Sequence, residues 1–98
     1  MDIVISKNKN MMTVTLKGRL DTMTASELDE RLEESLDGVE KLIFDFTDLK
    51  YISSAGLRVL MSALETMEEQ GSMSIRNVCK AVMDVFDVTG ITSFLNIE

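Results

Sequence analysis

Ninety-eight residues, 45% of them hydrophobic and 28% charged, make a single globular domain over 1–98 with material for one core. A formal charge of −7 argues against direct nucleic-acid binding, which needs a basic footprint to replace counterions. The absence of histidine removes the commonest general base, the Ser-His-Asp arrangement and imidazole metal sites together.

No apolar run approaches the roughly 20 residues of a membrane span, and Met1-Asp2 opens no signal peptide. The single cysteine, Cys79, permits no internal disulfide and fits a reducing compartment as a small packed hydrophobe. The expectation is a cytoplasmic protein with no membrane contact.

In chain order, Ile3-Val4-Ile5 predicts a strand and Lys7-Asn8-Lys9-Asn10 a turn. Met12, Val14 and Leu16 alternate with Thr13, Thr15 and Lys17, the period of a strand with one buried face, so the pair should form an antiparallel hairpin. Gly18-Arg19-Leu20-Asp21 should carry the chain off the sheet. Thr24-Ala25-Ser26-Glu27 has capping-box spacing, opening a helix whose apolar stripe is Ala25, Leu28, Leu32 and Leu36 and whose stop is Gly38.

Leu42 to Phe46 carries apolar residues on both faces, which predicts a central strand covered by helices on both sides. From Ala55 the period turns helical, with Leu57, Leu60, Met61, Leu64 and Met67 on one side and Gly71 at the end. Met73 and Ile75 mark a short strand. Asn77 is the expected cap of a third helix carrying Val82, Val85 and Phe86 and ending at Gly90, with a terminal strand or extension at Phe94 to Ile97. The order β-β-α-β-α-β-α, with an optional last β, predicts an α/β fold whose mixed sheet has a parallel centre.

Ser53-Ser54 sits at the strand-to-helix junction after the third predicted strand, Leu42 to Phe46. A serine there can cap the helix. A nucleophile reading fails on specificity, because Ile52-Ser53-Ser54-Ala55-Gly56 lacks the first glycine of a nucleophile elbow and no histidine is present to activate a hydroxyl. An enzyme using Ser54 as nucleophile is kept only as a rival reading. A phosphate-cradling loop lacks its glycines and lysine. A phosphorylation switch is chemically sound: about −1.5 to −2 charges at a helix start are tolerated by the helix dipole, while a partner packed over that end is repelled.

Asp48-Leu49-Lys50-Tyr51-Ile52-Ser53-Ser54-Ala55-Gly56-Leu57-Arg58-Val59-Leu60 closely resembles the hallmark of the STAS domain, in the branch of bacterial anti-sigma factor antagonists. Gly18-Arg19-Leu20-Asp21 with Thr24-Ala25 resembles the family's segment leading into the first helix, and Val85-Phe86-Asp87-Val88-Thr89-Gly90 resembles its closing segment. The resemblance implies a mixed sheet with helices on one side and at the edges. It also implies binding to an anti-sigma factor that is itself a serine kinase, which frees a sigma factor. That kinase phosphorylates a serine at the start of the second main helix and weakens the complex, and a metal-dependent serine phosphatase restores it.

Aligned on Gly56, the implied acceptor is Ser54, with Ser53 as its alternative. Ser53 stands where relatives often carry aspartate, and Ala55 replaces a serine or threonine. The implied partner face comprises Asp21, Thr22, Ser53, Ser54, Ala55, Gly56 and Arg58. The resemblance implies no catalytic, cofactor-binding or metal-binding residue. A STAS interaction module serving a different client in a partner-switching pathway is the alternative.

Overall fold

A computed structural model describes residues 1–98. The strands are β1 (Asp2–Asn8), β2 (Met11–Leu20), β3 (Lys41–Ile52) and β4 (Ser72–Arg76). The helices are α1 (Thr22–Ser35), α2 (Ser54–Gln70) and α3 (Lys80–Thr89), followed by one 3₁₀ turn at Ile91–Ser93. The sheet order is β1-β2-β3-β4, antiparallel between β1 and β2 and parallel between β2, β3 and β4. This is the predicted mixed sheet with a parallel centre. No helix is long and apolar enough to cross a membrane.

The hairpin pairs Ile5 with Val14 and Ile3 with Leu16. The pleat then sends Met12, Val14 and Leu16 to one face, where all three are fully buried. Leu42, Phe44, Met73 and Ile75 share that face through the parallel registers Met12↔Leu42, Val14↔Phe44, Leu42↔Met73 and Phe44↔Ile75. Both parallel connections step across the sheet in the same direction, and the right-handed rule for such crossovers puts α1 and α2 on one face, where they pack against each other.

Helices on both faces, as the apolar run Leu42 to Phe46 suggested, are therefore not what forms. The opposite face carries Thr13, Thr15, Asp45 and Ser74 around Ile43. Ile43 is buried yet stands apart from the contiguous core. Helix α3 packs on β3 and on the 3₁₀ turn. The Cys79 thiol at its start donates to the Leu49 carbonyl (3.4 Å), an acceptor left free because β4 stops opposite Asp45.

Strands β2 and β3 are longer than their hydrophobic patterns indicated. Gly18-Arg19-Leu20 stays in the sheet, and β3 runs on past Phe46 to Ile52 through two register shifts. Asp45 supports the first shift: its Oδ1 accepts from the Thr47 hydroxyl (2.6 Å), the Thr47 N–H (3.0 Å) and the Asn77 amide (3.2 Å). The Thr47 hydroxyl bond is the main reason the Asp45 carboxyl titrates below its ordinary value. An extra residue slipped into a strand changes which side chains face inward, so alternation fails there as a guide.

The caps also differ from the local sequence signals. The cap of α1 falls three residues before the expected Thr24, because Asp21 is the N-cap and Thr24 occupies the third helical position of the capping box. The stripe Ala25, Leu28, Leu32 and Leu36 is buried as expected, but the helix ends at Ser35, before Gly38. Gln70 spans the gap to α2: its amide donates to the carbonyls of Leu36 (2.9 Å) and Val39 (2.7 Å), beyond the end of α1. Asn77 does not cap α3. It takes a left-handed conformation and bonds Asp45, and Cys79 is the cap residue. Gly90 closes α3 as predicted, while the expected terminal strand reduces to one parallel bridge, Ile75↔Ile97.

Candidate functional site

The parallel register Leu20↔Ile52 ends β2 and β3 side by side. The next residue of each chain segment, Asp21 and Ser53, is extended in backbone and caps the helix that follows. The Ser53 N–H donates to the Leu20 carbonyl (2.9 Å), so the two caps are tied through the last rung of the sheet. Two helix N-termini, each with a partial positive charge, thus emerge at one edge of the molecule.

The two serines divide the roles that sequence alone left open. Ser53 is half-buried; its Oγ accepts the Gly56 N–H (3.2 Å) and its carbonyl accepts the Leu57 N–H (3.0 Å). Ser54 is the first residue of α2, exposed, and its hydroxyl makes no hydrogen bond within the chain.

Asp21 Oδ1 accepts from the Thr24 N–H (3.0 Å), the Thr24 hydroxyl (3.0 Å) and the Met23 N–H (3.1 Å), and Thr24 Oγ1 accepts the Asp21 N–H in return (2.9 Å). The Thr24 backbone bond, followed by its hydroxyl bond, holds the Asp21 carboxyl below the ordinary carboxylate value, so the group is anionic at neutral pH. One residue back on each strand, the Arg19 guanidinium lies 4.2 Å above the centre of the Tyr51 ring.

Gly56 is buried inside the first turn of α2. A Cβ there would meet Leu20 Cγ at 2.8 Å and Ile52 Cγ1 at 2.9 Å. The lack of a side chain lets α2 press onto the ends of both strands, so Gly56 shapes the site from beneath. Of the other residues expected on the partner face, Thr22, Ser54 and Arg58 are exposed, and Asp21, Ser53 and Ala55 are half-buried.

Beside these residues, a groove of about 350 Å³ runs between α1 and α2. It is lined by Thr22, Ala25, Ser26, Asp29, Ala55, Arg58, Val59 and Ser62. Sequence reasoning missed Ser26, Asp29, Val59 and Ser62. Helical spacing from Thr22 and from Ala55 would have found them, given that the two helices pack together. It also missed Met23, which is 84% exposed at the start of α1.

The site offers a free hydroxyl on a helix start, an anionic cap beside it and an unpaired cation one turn away. No imidazole stands by to activate the hydroxyl, because the chain contains none.

The STAS domain family model matches residues 2–98. Among curated proteins, the chain is 26% identical over 98 residues to the anti-sigma-B factor antagonist of Bacillus subtilis, covering 99% of this chain and 90% of that protein. It is 32% identical over 95 residues to BtrV of Bordetella bronchiseptica, provisionally designated an anti-sigma factor antagonist, covering 95% and 82%. Among solved structures, the anti-sigma factor antagonist SpoIIAA in its unphosphorylated form superposes with a TM-score of 0.87 at 17% identity, covering 99% of this chain and 88% of that one. Its phosphorylated form from Bacillus gives 0.78 at 16% identity, covering 99% and 91%. Sequence match over nearly the whole length, with the same fold, shows that this chain belongs to the STAS domain family.

Proposed function

We propose that this protein is a cytoplasmic, non-enzymatic anti-sigma factor antagonist. In its unmodified form it binds an anti-sigma factor that is also a serine kinase, and so frees a sigma factor. The kinase transfers the γ-phosphoryl group of ATP to Ser54: the Ser54 Oγ–P bond forms, the β–γ anhydride bond breaks, ADP leaves and the hydroxyl proton passes to a base of the kinase. ATP and Mg²⁺ belong to the kinase, and a metal-dependent serine phosphatase hydrolyses the phosphoester to reset the switch.

The observation that carries this reading is the division of labour at the junction. Ser54 is exposed and unengaged at the first position of α2, while Ser53 spends its oxygen on the cap. A phosphate on Ser54 leaves the cap in place and sits where the helix dipole favours negative charge. A phosphate on Ser53 would have to displace the bond to Gly56. The names of the curated relatives, and a related fold solved in unphosphorylated and phosphorylated forms, support the same reading. The partner face is formed by Asp21, Thr22, Ser54, Ala55 and Arg58, with Ser53 and Gly56 setting its backbone.

The test pairs Ser54→Ala and Ser54→Asp against a purified kinase-type anti-sigma factor in a titration calorimeter. The expected result is tight binding by the alanine variant and at least tenfold weaker binding by the aspartate variant. Equal affinities would sink the switch.

A further inference from the structure

Arg58 stands one turn after Ser54 on α2, and both side chains are exposed. Residues four apart on a helix are surface neighbours, about 5–6 Å between Cβ atoms, and an anion placed N-terminal to a cation at this spacing is the favourable order. Arg58 takes part in neither of the two ion pairs of the structure, Arg76–Glu98 and Lys80–Asp84. In a chain of net charge −7, it is thus an uncommitted guanidinium, and it is the one basic side chain lining the groove between α1 and α2.

The charged group that shares the groove with it from α1 is acidic, Asp29. Arg19, the basic residue on the adjoining strand, is occupied over the Tyr51 ring.

We propose that Arg58 is the intrachain seat of a phosphate carried by Ser54, so that modification locks the guanidinium against its own helix and removes it from the surface offered to the partner. The inference rests on the reading of Ser54 as the modified residue and extends it to how the switch acts. The planar fork of arginine takes two phosphate oxygens at once, which a lysine cannot. A phosphate of about −1.5 to −2 charges outcompetes water for this guanidinium at such short range. The partner face then changes in two ways together: it gains negative charge at Ser54 and loses its free cation at Arg58.

The test uses full-length protein with phosphoserine encoded at position 54, so it does not depend on any kinase. The midpoint of the second phosphate ionisation is followed by ³¹P NMR in the wild-type background, in Arg58→Gln and in Arg19→Gln. Free phosphoserine titrates near pH 6. The Arg58→Gln protein is expected to titrate about 0.5 to 1 unit above the wild-type background, because its phosphate dianion has lost its cation. Arg19→Gln is expected to leave the midpoint unchanged. Equal midpoints in wild-type and Arg58→Gln proteins, or an equal shift in Arg19→Gln, overturn the proposal. Failure of a kinase to modify Ser54 would instead count against the functional reading and leave this measurement intact.

Discussion

Leu20 and Ile52, thirty-two positions apart in sequence, are register partners at the ends of two parallel strands, and this pairing sets the helix caps Asp21 and Ser53 side by side. In a parallel pair both chains leave the sheet at the same edge, so both following helices present their N-termini there. Under the proposed switch, a partner packed over Ser54 would meet the start of α1 in the same contact.

The division between the serines has a direct thermodynamic signature. Ser53→Ala removes the acceptor of the Gly56 N–H and should cost about 1 kcal/mol, the usual loss for an N-cap serine. Ser54→Ala removes an exposed, unbonded hydroxyl and should stay within about 0.5 kcal/mol of wild type. Urea unfolding of both variants measures the contrast; equal losses would mean that the cap is shared.

Gly56→Ala should destabilise by about 1–3 kcal/mol through overpacking against Leu20 and Ile52. Both contacts are to side-chain rather than backbone atoms, so truncating one of the side chains gives the new methyl group room. In a double-mutant cycle, Gly56→Ala with Leu20→Ala should lose less than the sum of the two single losses. Strict additivity in denaturant midpoints would show that the first turn of α2 moves away instead.

Gly71→Ala should be harsher, on the order of 3 kcal/mol or more. Its Cβ would fall 1.9 Å from the Glu40 carbonyl oxygen, which also accepts the Ser72 N–H at 2.9 Å. The obstacle is backbone, and no rotamer change relieves it. A thermal melt of Gly71→Ala close to wild type would refute this close approach of α2's end to the start of β3.

Asp21 links the site to pH. Its folded-state pKa lies below the ordinary value of 3.8, so the cap stabilises the fold fully above that value and its contribution is lost as pH falls through the folded-state pKa. Asp21→Asn should accordingly melt below wild type at neutral pH, and the gap should narrow once the pH drops beneath about 4. Asp45, also depressed, titrates in the same direction and is common to both proteins, so the difference between their melting temperatures isolates Asp21. A gap that stays constant down to strongly acidic pH would show that the carboxylate charge contributes nothing to the cap.

Much of the architecture was legible in the residues because it is written in short-range periodicity. The alternation of Met12, Val14 and Leu16, the stripe Ala25, Leu28 and Leu32, and the spacing of Leu57, Leu60 and Met67 each lie within one element, and each landed in the core. The three matching motifs, with Ser53-Ser54 at the strand-to-helix junction, identified the family for the same reason: they are contiguous in sequence. Errors gathered where a local signal competes with a neighbouring one or with a distant partner. Thr24 reads as a cap until Asp21 claims the position, and Asn77 reads as a cap until Asp45 takes its amide.

Residue order alone determined the succession of strands and helices, the absence of any imidazole and the placing of two serines at a helix start. Only the tertiary structure decided which serine is spent on the cap, that Asp21 stands beside it, and that Arg58 and Asp29 share one groove with Thr22. Those relations depend on the register of parallel strands and the packing of two helices on one face. Both join segments some thirty residues apart, and no periodicity within either segment encodes them.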